Sequence, residues 1–324
     1  MKPKIIVYTY LPENLLEKLR QSYQISYYEQ LNHPSGQDFM DDLKNAVGLI
    51  GSGLQVDEQL LDNAPQLKVV ANISTGYNNL NIDELTKQNV MATNTPDILT
   101  ETTADSIFGL LIATARRIPE LDRYVKSGKW QNKIDKNMFG IDVHGKTIGI
   151  IGMGRIGGAV AQRAHKGFNM KVLYHNRSQS VQLEKELDAK YCSISELLKE
   201  SDFVCLMAPL TPETKNLIGK EELKKMKKNA ILVNGSRGEL IDEEALIESL
   251  KNGKIHAAGL DVYKKEPVDK DNQLLKLSNV VTLPHIGSAT LETRYEMARL
   301  AIKNVIAGIN GERPPNLINP EVYK

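Results

Sequence analysis

Short apolar, β-branched runs alternate with stretches of helical periodicity along the whole chain, a pattern that predicts parallel strands joined by helical crossovers. In the first third the apolar runs fall near 5–9, 47–50, 67–72 and 90–93, with helical patterns such as 13–20 and 57–63 between them. A longer helical pattern follows from 101 to 126, with no proline before Pro119. Its middle, Ile107-Phe108-Gly109-Leu110-Leu111-Ile112-Ala113, is apolar on nearly every face, as in a buried helix, and is expected to span two lobes. A second series of runs lies at 147–151, 171–174, 203–207, 231–234, 257–261 and 280–283, continuous enough for central strands covered on both faces. A last helical pattern, 291–308, precedes Arg313-Pro314-Pro315-Asn316. The expected fold is α/β, with two doubly wound lobes.

Composition narrows the function classes. A chain of 324 residues, 41% apolar and 25% charged, suits about two ordinary folded domains. Its 41 Lys and Arg nearly balance 40 Asp and Glu, so nothing in the overall charge favours nucleic acid or an anionic membrane as partner. The charge-dense run from Glu221 to Lys228 reads as a solvated helix face. No apolar run approaches the ~20 residues of a membrane helix, and the N-terminal one is too short for a signal peptide, so a cytoplasmic location is expected. Two cysteines make no disulfide framework, and Cys205, inside an apolar run, reads as a buried thiol. His33, His144, His165, His175 and His256 lack the spacing of zinc ligands, and no metal is expected.

Chemistry first becomes specific at Gly152-Met153-Gly154-Arg155-Ile156-Gly157, which follows one predicted strand directly and opens a helical run over 158–166. In that setting the glycines permit a tight turn, close approach of backbone to a pyrophosphate, and close helix–strand packing, while helix N-terminal amides face the anion. A site for NAD carries an acid about 20 residues on, bonded to the ribose 2′-hydroxyl. Here Asn176, Arg177 and Ser178 stand at the end of the next strand, with no carboxylate. Arg177 suits a 2′-phosphate and Asn176 or Ser178 can donate to it, so NADPH is favoured and NADH remains possible.

Three more polar segments end predicted strands: Asn234-Gly235-Ser236-Arg237-Gly238, the stretch from Asp261 to Glu266-Pro267, and Pro284-His285-Ile286-Gly287-Ser288. The carboxyl ends of parallel strands converge on one crevice, so Arg237, Glu266 and His285 are expected to meet there. These segments, with Gly259-Leu260-Asp261-Val262, Gly76-Tyr77-Asn78-Asn79-Leu80 and Thr95-Pro96-Asp97-Ile98-Leu99-Thr100-Glu101-Thr102-Thr103-Ala104, resemble in order the motifs of the D-2-hydroxyacid dehydrogenase family, and within it the glyoxylate/hydroxypyruvate reductases.

The resemblance implies a dinucleotide-binding domain of Rossmann type at 98–287, inserted into a flavodoxin-like substrate domain made of 1–97 and 288–324. It implies reduction of a short 2-oxo acid by hydride transfer in the cleft between the lobes. Arg237 would orient the substrate's carboxylate and carbonyl. His285 would act as general acid and base, and Glu266 would orient its ring and favour the protonated form. Asp261 is expected near the nicotinamide, and Thr103, Pro209, Thr214 and Ser288 near the cofactor. The loop Ser74-Thr75-Gly76 would bind the substrate carboxylate, and Leu54 would touch the substrate's distal end. A homodimer is implied by resemblance alone, with Trp130 at a packing or inter-subunit contact. Two alternatives stay open: an NAD-linked dehydrogenase for bulkier 2-oxo acids, and a dinucleotide-sensing protein resembling corepressors that share this fold.

Overall fold

The computed structural model describes residues 2–31 and 34–323, so His33 lies outside the described residues. The chain divides into two units, Met1–Leu99 with Ala289–Lys324, and Thr100–Ser288.

The first unit is built on five strands: β1 (Lys4–Val7), β2 (Gln24–Tyr27), β3 (Ala46–Gly51), β4 (Val69–Asn72) and β5 (Met91–Thr93). They lie in the order β2-β1-β3-β4-β5, each neighbour parallel, which is the order of a flavodoxin-like doubly wound sheet. Apart from Lys4 and Asn72 at strand ends, the residues of β1, β3 and β4 are apolar without alternation because both faces are covered; Ile5, Ile6, Leu49, Ile50, Val69 and Val70 are fully buried. Part of that cover is the helix Leu291–Ile309, which packs on β3 and β4. Glycine lets it approach: a Cβ on Gly48 would lie 2.7 Å from Val305, and one on Gly308 2.7 Å from Val69. Beyond the helix, Asn319 accepts from the Ala92 amide (2.8 Å) and donates to the Val90 carbonyl (3.0 Å), fastening the tail beside β5.

The second unit holds β6 (Thr147–Ile151), β7 (Lys171–His175), β8 (Lys190–Tyr191), β9 (Phe203–Leu206), β10 (Ile231–Asn234), β11 (Ala257–Leu260) and β12 (Val280–Thr282). Their order is β12-β11-β10-β9-β6-β7-β8, again all parallel. The chain winds outward from β6 in one direction and then, from β9, in the other, so the strand order reverses between β6 and β9. Cys205 sits in the middle of β9, fully buried, and burial pushes its thiol up to about 12, which leaves it unreactive at neutral pH.

The single helical pattern expected over 101–126 is two helices, Thr100–Ala115 and Ile118–Lys126. Pro119 has no amide hydrogen for the Ala115 carbonyl, which accepts from Ile141 instead (2.9 Å). The chain turns at Arg117, which has φ 55° and braces the turn by pairing its guanidinium with the Glu120 carboxylate through two 2.8 Å bonds. The first helix belongs to the second unit and packs on β10 and β11, where Gly235 and Gly259 make room for Ile107 and Leu110. The second helix buries none of its residues. The helix after the glycine turn begins at Arg155, not 158, and ends at Gln162 in a wide π-type turn over Arg163–Gly167.

Candidate active site

The glycine turn leaves β6 at its carboxyl end. Gly152 has φ 94°, and a Cβ there would strike the Ala208 backbone, so the position is closed to any other residue without rearrangement. Gly157 is equally closed by the Gly152 carbonyl, whereas a Cβ on Gly154 would meet nothing within 4 Å. The Arg155–Gln162 helix has no side-chain cap, and the amides of Ile156 and Gly157 find no acceptor among the described residues. Space at Gly154, uncapped amides and the positive end of a helix dipole together fit a dinucleotide pyrophosphate.

At the end of β7, Arg177 and Ser178 are exposed. Glu213 feels the Arg177 charge: its own contacts in the 211–213 turn, and then that guanidinium, hold its carboxyl below the usual range. Asn176, expected to donate to a 2′-phosphate, turns its amide onto the glycine turn. It accepts from the Met153 amide (2.6 Å) and donates to the Met153 carbonyl (3.0 Å). Thr214 closes its own loop, donating to the Pro209 carbonyl (2.7 Å) and accepting from the Thr211 amide (2.8 Å).

The ends of β10, β11 and β12 bring the expected polar groups together within the second unit. His285 Nδ1 lies 2.7 Å from Glu266 Oε2, and Glu266 Oε1 accepts from the Tyr263 amide (2.9 Å). Burial raises the Glu266 carboxyl, but the His285 ring, the Tyr263 amide and the Arg237 charge outweigh it and hold it below its ordinary value. The Nε2 atom of His285 has no partner among the described residues. Arg237 is largely buried, which lowers its guanidinium without discharging it, and Glu266 and Glu239 counter that effect. Asn234, fully buried, fixes the Arg237 loop by accepting from the Ser236 amide (3.1 Å) and donating to the Arg237 carbonyl (2.8 Å). Gly238 touches the Tyr263–Lys264 backbone so closely that no Cβ fits, which locks the arginine loop to the glutamate loop.

Asp261 has a structural task. Its two carboxylate oxygens accept from the amides of Ile286 (2.8 Å) and Gly287 (2.9 Å), holding the turn in which His285 adopts φ 54°. Burial raises its carboxyl, against the pull of those amides and of His285. Thr103 is buried against Gly287, and Ser288 follows as the unit's last residue.

In the first unit, Ser74-Thr75-Gly76 follows β4. The loop is held by its carbonyls: Ser74 accepts from the Thr95 amide (2.9 Å), Thr75 from Asn94 (2.8 Å), and Gly76 from the fully buried Asn72 (3.0 Å). The amides of Thr75 and Gly76 have no acceptor among the described residues, a geometry that would suit a small anion. Asn79 bonds Asn72 (3.2 Å) and the Leu54 carbonyl (2.8 Å), tying Leu54 to the same network. Leu54 itself is buried and lines a cavity with Tyr8, Leu31 and Met40. Asn72 and Asn234 went unread in the sequence; the available signal is an asparagine closing an apolar strand. No cluster of metal-ligating side chains occurs among the described residues.

Residues 108–287 match the family model described as D-isomer specific 2-hydroxyacid dehydrogenase, NAD binding domain. The whole chain is similar to a glyoxylate/hydroxypyruvate reductase B of Enterobacter sp. (strain 638), at 48% identity over 322 residues and 99% of each chain. Among solved structures it resembles a protein of Thermus thermophilus (TM-score 0.90, 40% identity, 97% of this chain and 99% of that one). It also resembles an NADPH-dependent glyoxylate/hydroxypyruvate reductase from Sinorhizobium meliloti in complex with NADP and malonate (TM-score 0.88, 29% identity, 100% of this chain and 99% of that one).

Proposed function

The chain belongs to the D-isomer-specific 2-hydroxyacid dehydrogenase family, and we propose that it reduces glyoxylate, hydroxypyruvate or a related short 2-oxo acid to the D-2-hydroxy acid (glycolate from glyoxylate), with NADPH as the preferred reductant. The observation that carries this reading is the Glu266–His285 pair, bonded at 2.7 Å through Nδ1 with Nε2 left for a proton donated elsewhere.

Bound NADPH supplies the hydride. His285 delivers a proton from Nε2 to the carbonyl oxygen as the carbon is reduced, and accepts it in the reverse direction. Glu266, kept ionised by its three partners, fixes the tautomer and ring plane and faces the charged form of the ring. Arg237 offers a planar fork to the carbonyl and carboxylate oxygens of a 2-oxo acid, with its second task, the bond from Nη1 to the Ser236 carbonyl (2.7 Å), setting its direction. The Thr75 and Gly76 amides of the first unit supply a carboxylate receptor of matching chemistry. In the second unit, Gly152, Gly154, Arg155, Ile156 and Gly157 would hold the pyrophosphate, and Arg177 with Ser178 the 2′-phosphate. The unit Thr100–Ser288 is thus the dinucleotide-binding domain and its partner unit the substrate domain.

The segment 118–139 supports a homodimer. Ile118, Val125, Trp130, Ile134 and Phe139 are all exposed there, more apolar surface than a monomer usually leaves in one stretch. No helix among the described residues is long and apolar enough to cross a membrane.

The test is NADPH oxidation with glyoxylate or hydroxypyruvate, NADH in parallel. His285→Ala should lower kcat by about 10²–10⁴ while the Kd for NADPH stays near that of the unaltered enzyme. Equal loss of turnover and cofactor affinity contradicts the assignment.

A further inference from the structure

We infer that Asn176 is a positioning residue for the cofactor: by pairing with both the N–H and the C=O of Met153 it sets the phosphate-binding turn, and so governs affinity for the dinucleotide as a whole and not the choice between its phosphorylated and unphosphorylated forms. The inference rests on the NADPH reading above.

Every amide of the turn is already engaged. Gly152 donates to the His175 carbonyl (3.0 Å), Met153 to Asn176 Oδ1 (2.6 Å), and Gly154 to the Gly152 carbonyl (2.9 Å). A phosphate therefore meets the amides that follow, those of the first helical turn, and where these point depends on how the preceding turn is held. The Asn176 side chain bonds this turn at two points, and a carboxamide is the group that complements an N–H and a C=O at once. A carboxylate in its place would take the N–H and repel the carbonyl. Asn176 is itself anchored from β8. Its carbonyl accepts from the Tyr191 hydroxyl (3.2 Å), Tyr191 stacks on His175 with ring centres 5.7 Å apart, and His175 Nδ1 lies 2.9 Å from the Cys192 carbonyl. The Met153 side chain is buried in the core beneath the turn, so the clamp joins the two strand ends through a rigid base.

The pyrophosphate is common to NADPH and NADH; the 2′-phosphate is not. Loss of the clamp should weaken both cofactors alike, whereas loss of a 2′-phosphate ligand weakens one.

The experiment measures Kd for NADPH and NADH by fluorescence titration, and residue-resolved hydrogen exchange of the Met153 amide in the cofactor-free protein, for Asn176→Ala, Asn176→Asp and Arg177→Ala. Asn176→Ala is expected to weaken both cofactors about tenfold, to leave their ratio unchanged, and to speed Met153 exchange. Asn176→Asp keeps the acceptor and loses the donor, so its Met153 exchange should still exceed that of wild type; because an acid here also repels a 2′-phosphate, this variant is read by exchange alone and carries the test if the alanine variant is poorly folded. Selective loss of NADPH affinity in Asn176→Ala, or unchanged Met153 exchange, overturns the inference. Arg177→Ala tests the underlying reading separately: it should weaken NADPH alone, and an unchanged NADPH to NADH ratio there removes the 2′-phosphate assignment while leaving the clamp to stand or fall on its own exchange data.

Discussion

Glu266 and Asp261 are two carboxylates at the ends of neighbouring segments whose surroundings push them in opposite directions. Glu266, partly exposed and bonded to His285 and the Tyr263 amide, is held below its ordinary value; Asp261, deeply buried, is raised. A carboxyl lowered by folding contributes stability that is present above its unfolded value and lost as pH falls through its folded one. Urea unfolding of Glu266→Gln across the acid range should therefore show a shallower loss of stability below about pH 4 than wild type; an identical slope means the ion pair does not form in solution. The same change should slow turnover. That Arg237, Glu266 and His285 would fall at one edge was legible in the sequence because each lies in a segment that follows an apolar strand, and parallel strands deliver their ends together. The tasks of Asn72, Asn176 and Asp261 were not, since each depends on which backbone amide returns beside it, and that is fixed by turns of the chain that no periodicity encodes.

At the scale of elements, the strand–turn–helix unit divides its glycines by purpose. Gly152 is required by the fold, with positive φ and backbone on its open side, while Gly154 faces space. Gly152→Ala should lower stability by about 1–3 kcal/mol from strain and overpacking. Gly154→Ala should leave the melting temperature nearly unchanged and weaken NADPH binding, read by thermal denaturation beside cofactor titration. Similar melting losses in both variants would refute this division. Most strands were readable as unbroken apolar runs because both faces are covered. The edge strand β2 was not, since Gln24-Ile25-Ser26-Tyr27 is half exposed and lacks the run, and β8 is two residues long. The break before Ile118 lies in Pro119 itself: the proline is visible in the sequence, but the amide of Ile141 that takes over the Ala115 carbonyl comes from 26 residues further on.

For the molecule as a whole, the exposed apolar residues of 118–139 call for a partner surface. Sedimentation of the intact protein should give twice the chain's 36.1 kDa, and Val125→Glu with Trp130→Glu should shift it toward a single chain; a wild-type monomer refutes the homodimer. Periodicity does not reveal the discontinuous layout, because one helix and no further strand follow residue 288; that expectation rests on the family resemblance alone.

That layout also dictates an order of assembly. During synthesis all seven strands of the second sheet are made before the Leu291–Ile309 helix that shelters β3 and β4 exists. The portion made earliest must wait, with part of its sheet bare, for a cover encoded nearly two hundred residues later, while the interposed portion already has its strands in hand. A chain released after residue 288 would thus present a finished interior module and an unroofed one, and chaperones that bind exposed aliphatic surface would find their target on the older half.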